Sequence, residues 1–119
     1  MAPIAIKRIY DKPASTDGMR ILVDRLWPRG VSKDAAALDL WSKEIAPTPQ
    51  LRTWFNHRGD RFAEFKKRYL LELRSNPAVP EIVGIGKRKA TLLYGAKDPE
   101  VNHAVVLAGY LDGYRARNK

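Results

Sequence analysis

Two uninterrupted runs of largely apolar residues limit what this chain can fold into more than any other feature of its sequence. They are MRILVD (19–24) and ATLLYGA (90–96), and neither alternates regularly between polar and apolar positions. A strand of this kind is buried on both faces, which requires a layer of helices on each side of the sheet. Each run therefore predicts an inner strand rather than a strand that faces water.

The remaining segments predict elements that alternate with these strands. PIAIKRIY (3–10) alternates in polarity and predicts a half-exposed strand. The apolar residues of segment 38–46 fit both the strand period and the helical period, and the strand is favoured. Helices ending near residues 37, 59, 74 and 114 are predicted to follow the caps Ser32, Thr48, Asp60 and Asp98. Prolines and glycines in 77–89 allow only a short or irregular helix. This order predicts an α/β fold, a single compact domain with a small, partly parallel sheet flanked by helices.

Length and composition narrow the class of protein. The 119 residues suit one domain, and 45% apolar with 29% charged residues is a globular composition. The absence of cysteine excludes disulfides, thiolate zinc sites, cysteine nucleophiles and iron–sulfur clusters. No apolar run approaches the roughly 18 residues of a membrane span, and the first residues lack the features of a signal peptide. We therefore expect a soluble, cytoplasmic protein with no membrane partner.

Sequence motifs for metals and cofactors are missing. The two histidines, His57 and His103, have no HExxH spacing, so we expect no protein-built transition-metal site. GIGKRK (84–89) fails the Walker spacing because Glu81 stands where glycine is required and Arg88 where serine or threonine is required. No cofactor is predicted, and nothing in the sequence indicates an oligomeric state.

The charge of the chain favours an anionic partner. Lys plus Arg number 22 against 13 Asp plus Glu, which gives a formal net charge of +9. Basic clusters lie at 66–68, 87–89 and 115–119, and they would bind nucleic acid without sequence preference if they formed one surface. Solvation alone also explains such clusters on helix faces.

Charged side chains follow both predicted inner strands, in DRLWPRG (24–30) and YGAKD (94–98). Ligands of open α/β sheets bind at the carboxyl ends of the strands. If the two strands are neighbours, one edge collects six candidate residues: Asp24, Arg25, Arg29, Lys97, Asn102 and His103. Trp27 and Tyr94 lie in the same segments and are further candidates for ligand contact, although packing is an open alternative for both.

The residue types in these segments suit a phosphate-bearing ligand. The guanidinium groups of Arg25 and Arg29 present planar, permanently charged forks to phosphate or carboxylate oxygens. A helix beginning at Pro99 would add free N–H groups and keep His103 neutral, so that His103 could carry a proton. Asp24 could orient an arginine or act as a base. Purely structural roles for these residues remain the alternative.

Three segments resemble the YeaO-like family of small bacterial proteins, part of a superfamily of domains of unknown function. They are RILVDRLWPRG (20–30), LRTWF (51–55) and LLYGAKD followed by NHAVVLAGYL (92–98 and 102–111). The resemblance implies a compact α/β protein of the bacterial cytoplasm, and it carries over no reaction and no catalytic residues. Related branches are similar at the last strand and helix but have a cysteine–histidine–arginine trio, of which only His103 matches here.

Two functional hypotheses follow. The first is a pocket for a nucleotide or another phosphorylated small molecule, built from Arg25, Arg29, Lys97 and His103, with or without hydrolysis or group transfer through His103. The second is a non-catalytic adaptor that binds nucleic acid or protein through Lys66, Lys67 and Arg115. The sequence leaves open whether the chain is an enzyme.

Overall fold

The computed structural model describes residues 4–85 and 89–117, where four strands form one sheet. They are β1 (Ala5–Arg8), β2 (Met19–Leu22), β3 (Leu40–Trp41) and β4 (Ala90–Tyr94), in the spatial order β1-β4-β2-β3. All three strand pairings are parallel. The predicted α/β fold is therefore confirmed, and the sheet is parallel across every described pairing.

Helices cover this sheet. They are α1 (Lys33–Ala36), α2 (Pro49–Phe55), α3 (Phe62–Arg74), α4 (Ala78–Ile85) and α5 (His103–Arg117), with short 3-10 turns at Ser15–Asp17, Lys43–Ile45 and Gly59–Arg61. None of the helices in 4–85 and 89–117 has both the length and the apolar character needed to cross a bilayer.

The two inner strands are buried on both faces, as their sequences predict. All five residues of β4 are buried, and Ile21 and Leu22 of β2 are fully inaccessible to solvent. Ile21 and Leu92 point into the larger core with α3 and α5, whereas Leu22 and Leu93 point into a smaller core. The smaller core contains Ala36 of α1, with Trp27 and Trp41 packed against it. Because side chains alternate across a strand, each inner strand contributes to both cores.

Several local predictions are confirmed in detail. Ser32 and Thr48 cap α1 and α2, since their side-chain oxygens accept the N–H groups of Ala35 and Leu51. The segment 38–46 is a strand only at Leu40–Trp41 and then becomes a 3-10 turn, which explains its mixed periodicity. Within the segment 77–89 the described residues form one short helix, α4, and Pro80 lies in its first turn, where no N–H is needed. The remainder of the GIGKRK segment, residues 86–88, lies outside the described residues.

Two predicted helix starts are wrong. Asp60 does not cap α3, because its carboxylate pairs with Arg58 and a 3-10 turn precedes the helix. Helix α5 begins at His103 rather than Pro99, and the Asn102 side chain accepts the N–H of Val105. Asp98 instead accepts the N–H groups of residues 100 and 101, which holds that segment in a separate turn.

A buried ionic cluster fastens the start of β2. Asp17 accepts hydrogen bonds from Arg20 at 2.5 Å and from Lys7 at 2.9 Å, and the Arg20 guanidinium also donates to the Ala36 carbonyl at the end of α1. Burial acts to raise the pKa of Asp17, but the hydrogen bonds from the Ala14 amide and the two cations outweigh it and lower the pKa from 3.8 to about 2. The cluster therefore favours the folded state while Asp17 is ionised.

Replacing Asp17 by asparagine should destabilise the fold by about 3–5 kcal/mol, because Arg20 is then left buried without a counter-charge. The depressed pKa also predicts that wild-type stability falls as the pH drops from about 4 towards 2, where the native carboxylate takes up a proton. Urea unfolding at several pH values measures both effects. The exposed Asp34→Asn change on α1 is the matched control and should shift stability by less than about 0.5 kcal/mol.

Candidate functional site

A cleft of about 630 Å³ opens where the carboxyl ends of β2 and β4 meet α2 and the start of α5. Its walls come from several separate parts of the chain, including Phe65 of α3. The residues that follow β2 and β4 form one side, and 46–47, α2 with His57, and α5 form the others. This is the edge at which parallel α/β sheets bind their ligands.

The sequence candidates divide into two groups. The cleft brings five of them together: Asp24, Arg25, Lys97, Asn102 and His103. They meet because β2 and β4 are adjacent, with Leu22 aligned to Leu93, so that the loops after both strands leave the sheet side by side.

Three further candidates lie outside the cleft. Arg29 is exposed on the loop after β2, where its carbonyl accepts the Tyr10 hydroxyl. Trp27 packs edge-on against Trp41 at 5.2 Å between ring centroids, and its indole N–H donates to the Val31 carbonyl. Tyr94 is buried in β4, and burial raises the pKa of its hydroxyl. For the two aromatic residues the structure therefore shows packing roles.

Asp24 and His103 form a close pair at the floor of the cleft. One carboxylate oxygen, Oδ2, accepts the Gly95 N–H at 2.8 Å, and the other, Oδ1, lies 3.1 Å from His103 Nε2. The same Nε2 lies 3.0 Å from the Val23 carbonyl. Oδ1 is buried and has no hydrogen bond of its own, so the His103 N–H is directed mainly at Val23. The pair therefore joins the ends of β2 and β4 to α5.

Arg25 reaches across the cleft towards the 46–47 segment. Its guanidinium lies 3.3–3.4 Å from the carbonyl oxygens of Ala46 and Pro47, which are long, weak hydrogen bonds. These contacts orient the side chain, which has no carboxylate partner within residues 4–85 and 89–117. No ion pair within the described residues therefore offsets the guanidinium charge at the wall of the cleft.

The start of α5 offers fewer free N–H groups than the sequence suggests. Asp98 and Asn102 accept the N–H groups of Glu100, Val101 and Val105. The amide nitrogen of Asn102 also donates to the Asp98 carbonyl at 2.7 Å. The prediction of free N–H groups in a helix beginning at Pro99 is therefore wrong for residues 100 and 101, because Asp98 accepts both N–H groups and α5 begins only at His103.

Sequence reasoning missed the contribution of α2 and α3. Arg52, His57, Phe55 and Phe65 also line the cleft. Phe55 and Phe65 stack at 4.2 Å between centroids and form an apolar wall, and His57 follows the left-handed Asn56 at the end of α2. The apolar face of α2 is visible in the sequence, but no local signal shows that α2 passes beside the strand ends.

The structure describes only part of the basic clusters on which the second hypothesis depends. Lys66 and Lys67 are exposed on α3, whereas Arg115 is only 5% exposed on α5. Residues 87, 88, 118 and 119 lie outside the described ranges. Among the residues named for an adaptor surface, only the two lysines are therefore available to a partner.

Comparison with known proteins agrees with the resemblance. A family model described as the inactive DUF488-N3 subclade matches residues 3–119. The chain is 46% identical to the uncharacterised YeaO protein of Escherichia coli (strain K12) over 110 residues, covering 91% of this chain and 96% of that protein. It is 37% identical to uncharacterised proteins of Mycobacterium bovis and Mycobacterium tuberculosis over 111 residues, covering 92% of this chain and 94% of each relative. No solved structure gives a significant match.

The chain is thus an α/β protein with a cleft at the strand ends, and it belongs to the YeaO-like family, within the inactive DUF488-N3 subclade.

Gly95 is required by the Asp24 contact. A Cβ at this position would lie 2.9 Å from Asp24 Oδ2, the atom that accepts the Gly95 N–H. Gly95→Ala should therefore displace the carboxylate and destabilise the fold by about 1–3 kcal/mol. Gly59→Ala, where a Cβ meets nothing within 4 Å, is the control and should be neutral or slightly stabilising. Equal thermal midpoints for the two variants would contradict this account of the site.

Proposed function

We propose that this protein binds a small phosphate-bearing molecule in the cleft and does so without chemical turnover. The observation that carries the proposal is the convergence of Arg25, Arg52 and Lys97 on one cleft. These cations come from the loop after β2, from α2 and from the loop after β4, so only the tertiary fold brings them together. Three permanent or near-permanent positive charges around one cavity favour an anion.

Two carboxylates, Asp24 and Asp98, also line the cleft, so its formal net charge is +1 without the histidines. Asp24 is held by the Gly95 N–H and lies against His103, and Asp98 accepts two backbone N–H groups. By contrast, Arg52 and Lys97 are exposed and form no ion pair with any residue in 4–85 or 89–117. The carboxylates serve the structure, and the cations remain available to a ligand.

The size and lining of the cleft favour an anion attached to a larger body. A volume of about 630 Å³ lies in the range of sites that hold nucleotide-sized ligands. The apolar wall of Phe55 and Phe65, with Leu26 at 60% exposure, would cover the uncharged part of such a ligand. A nucleotide or sugar phosphate therefore fits better than a free inorganic anion.

Binding without turnover is favoured by the residues next to His103. Related branches of the superfamily resemble this chain but have a cysteine where it has Asn102, and this chain contains no cysteine. Both ends of the Asn102 amide are engaged in holding the start of α5. The family model that matches the chain is itself described as inactive.

Catalysis by His103 and Asp24 is the second candidate, and their 3.1 Å separation favours it. A hydrolase or transferase of this kind would convert a phosphorylated compound, and His103→Gln would abolish the conversion. Incubation of nucleotides and sugar phosphates with the protein, followed by chromatography, separates the two candidates. Under the leading proposal the compounds are recovered unchanged.

Thermal unfolding with a panel of nucleoside monophosphates and sugar phosphates tests the leading proposal. A ligand at about 100 times its Kd should stabilise the wild type by about 2.7 kcal/mol, on the order of 10 °C in Tm for a domain of this size. The Arg25→Ala, Lys97→Ala double variant should lose most of this shift, because two of the three cations at the cleft are gone.

The matched control is the Arg29→Ala, Lys33→Ala double variant, which removes the same charge from exposed positions outside the cleft. It should respond to ligands as the wild type does. Lys97→Ala alone tests the cleft charge without disturbing the Arg25 contacts to residues 46 and 47. The proposal fails if no phosphorylated compound raises Tm, or if the cleft and control variants respond equally.

A further inference from the structure

We infer that His103 couples anion binding in the cleft to the uptake of one proton, so that the ligand is bound together with an imidazolium ring. The inference rests on the proposed function, since it concerns the same cleft. It assigns to His103 the part of a proton-linked binding residue.

The contacts of His103 fix its tautomer. A backbone carbonyl can only accept a hydrogen bond, so the 3.0 Å contact between Nε2 and the Val23 oxygen requires a proton on Nε2. The carboxylate oxygen of Asp24, 3.1 Å from the same nitrogen, demands the same arrangement. In the neutral ring the proton therefore stays on Nε2, and Nδ1 carries a lone pair.

Nδ1 is consequently the ring nitrogen that can accept a further proton. This nitrogen forms no hydrogen bond with the part of the chain that the structure describes, and the His103 side chain lines the cleft. With its lone pair, Nδ1 opposes an anion at close range. Once Nδ1 is protonated, it is a hydrogen-bond donor on a positively charged ring. A bound anion stabilises this imidazolium form of His103.

The charges around the ring make this coupling positive. The Asp24 carboxylate lies 3.1 Å from Nε2 and attracts a positive charge on the ring, whereas the positive end of the α5 dipole repels it. The remaining charged or titratable groups that line the cleft are Arg25, Arg52, His57, Lys97 and Asp98, and Tyr69 of α3 lies against the ring at 6.5 Å between centroids. The three cations oppose protonation while no anion is present. A bound anion offsets their repulsion, so binding and protonation must strengthen each other.

Sulfate is the probe that tests the inference, because it does not titrate near neutral pH and any proton taken up belongs to the protein. Calorimetry between pH 6 and 8, in two non-phosphate buffers of different ionisation enthalpy, measures the number of protons bound with sulfate. We expect uptake of a fraction of a proton that approaches one. Sulfate affinity should fall with rising pH, by at most about tenfold per pH unit for one linked proton.

The two histidines provide matched variants. Both histidines line the cleft, so both variants alter the sulfate affinity, and the number of protons bound per sulfate distinguishes them. This number should persist in His57→Gln and be lost in His103→Gln. Because His103 also contacts the Val23 carbonyl, replacing His103 can disturb the fold. A second measurement therefore leaves His103 in place. In the His57→Gln protein one imidazole remains, and its Nδ1 resonance in nitrogen NMR should move to the protonated position when sulfate is added at constant pH.

The possible results distinguish proton-linked binding at His103 from anion binding in the cleft as such. Sulfate binding with proton uptake in the wild type and in His57→Gln, together with the Nδ1 shift, supports the inference. Sulfate binding without proton uptake, or an unchanged Nδ1 resonance, overturns the inference and leaves the anion cleft intact. Uptake that persists in a folded His103→Gln protein also overturns it. Failure of sulfate and of every phosphorylated compound to bind overturns both.

Discussion

The parallel pairing of β2 with β4 is the interaction on which the rest of this protein depends. These strands are central in the sheet and buried on both faces, so each supplies side chains to both cores. Their ladder continues beyond the strands through the Val23 N–H to the Leu93 carbonyl and then through the Gly95 N–H to the Asp24 carboxylate. The floor of the cleft is thus an extension of the sheet, and a change in strand register would dismantle both together.

Charge in the cleft has two different uses. Backbone N–H groups donate hydrogen bonds to the side chains of Asp24, Asp98 and Asn102. These bonds fix the shape of the strand ends and of the start of α5. The three cations of the cleft, Arg25, Arg52 and Lys97, form no ion pair with a carboxylate in the described structure, so their charges face the cavity without a counter-charge. This division explains how a site that contains two aspartates can still favour an anion. It also places His103 between the two groups, against Asp24 on one side and the cavity on the other.

Much of the fold could be predicted because its signals are local. The continuous apolar runs predict inner strands, and Ser32 and Thr48 predict the starts of α1 and α2 through bonds that span three residues. The two errors at helix starts have different causes. The Asp60 carboxylate pairs with Arg58, whereas Asp98 does accept the 100 and 101 amides but Asn102 then caps a helix that begins only at His103. Cap residues compete for nearby backbone groups, and the sequence alone does not show which group wins.

The sequence by itself determined the α/β class, the family and the two segments that meet at the strand ends, because those properties follow from hydrophobic pattern and motif order along the chain. Only the tertiary structure decided which side chains share the cleft. It removed Arg29, Trp27 and Tyr94, and it added Arg52 and the aromatic wall from α2 and α3. The physical reason is that strand order and helix placement arise from long-range packing of the two cores. The local sequence around a residue does not show which residues lie next to it across the sheet.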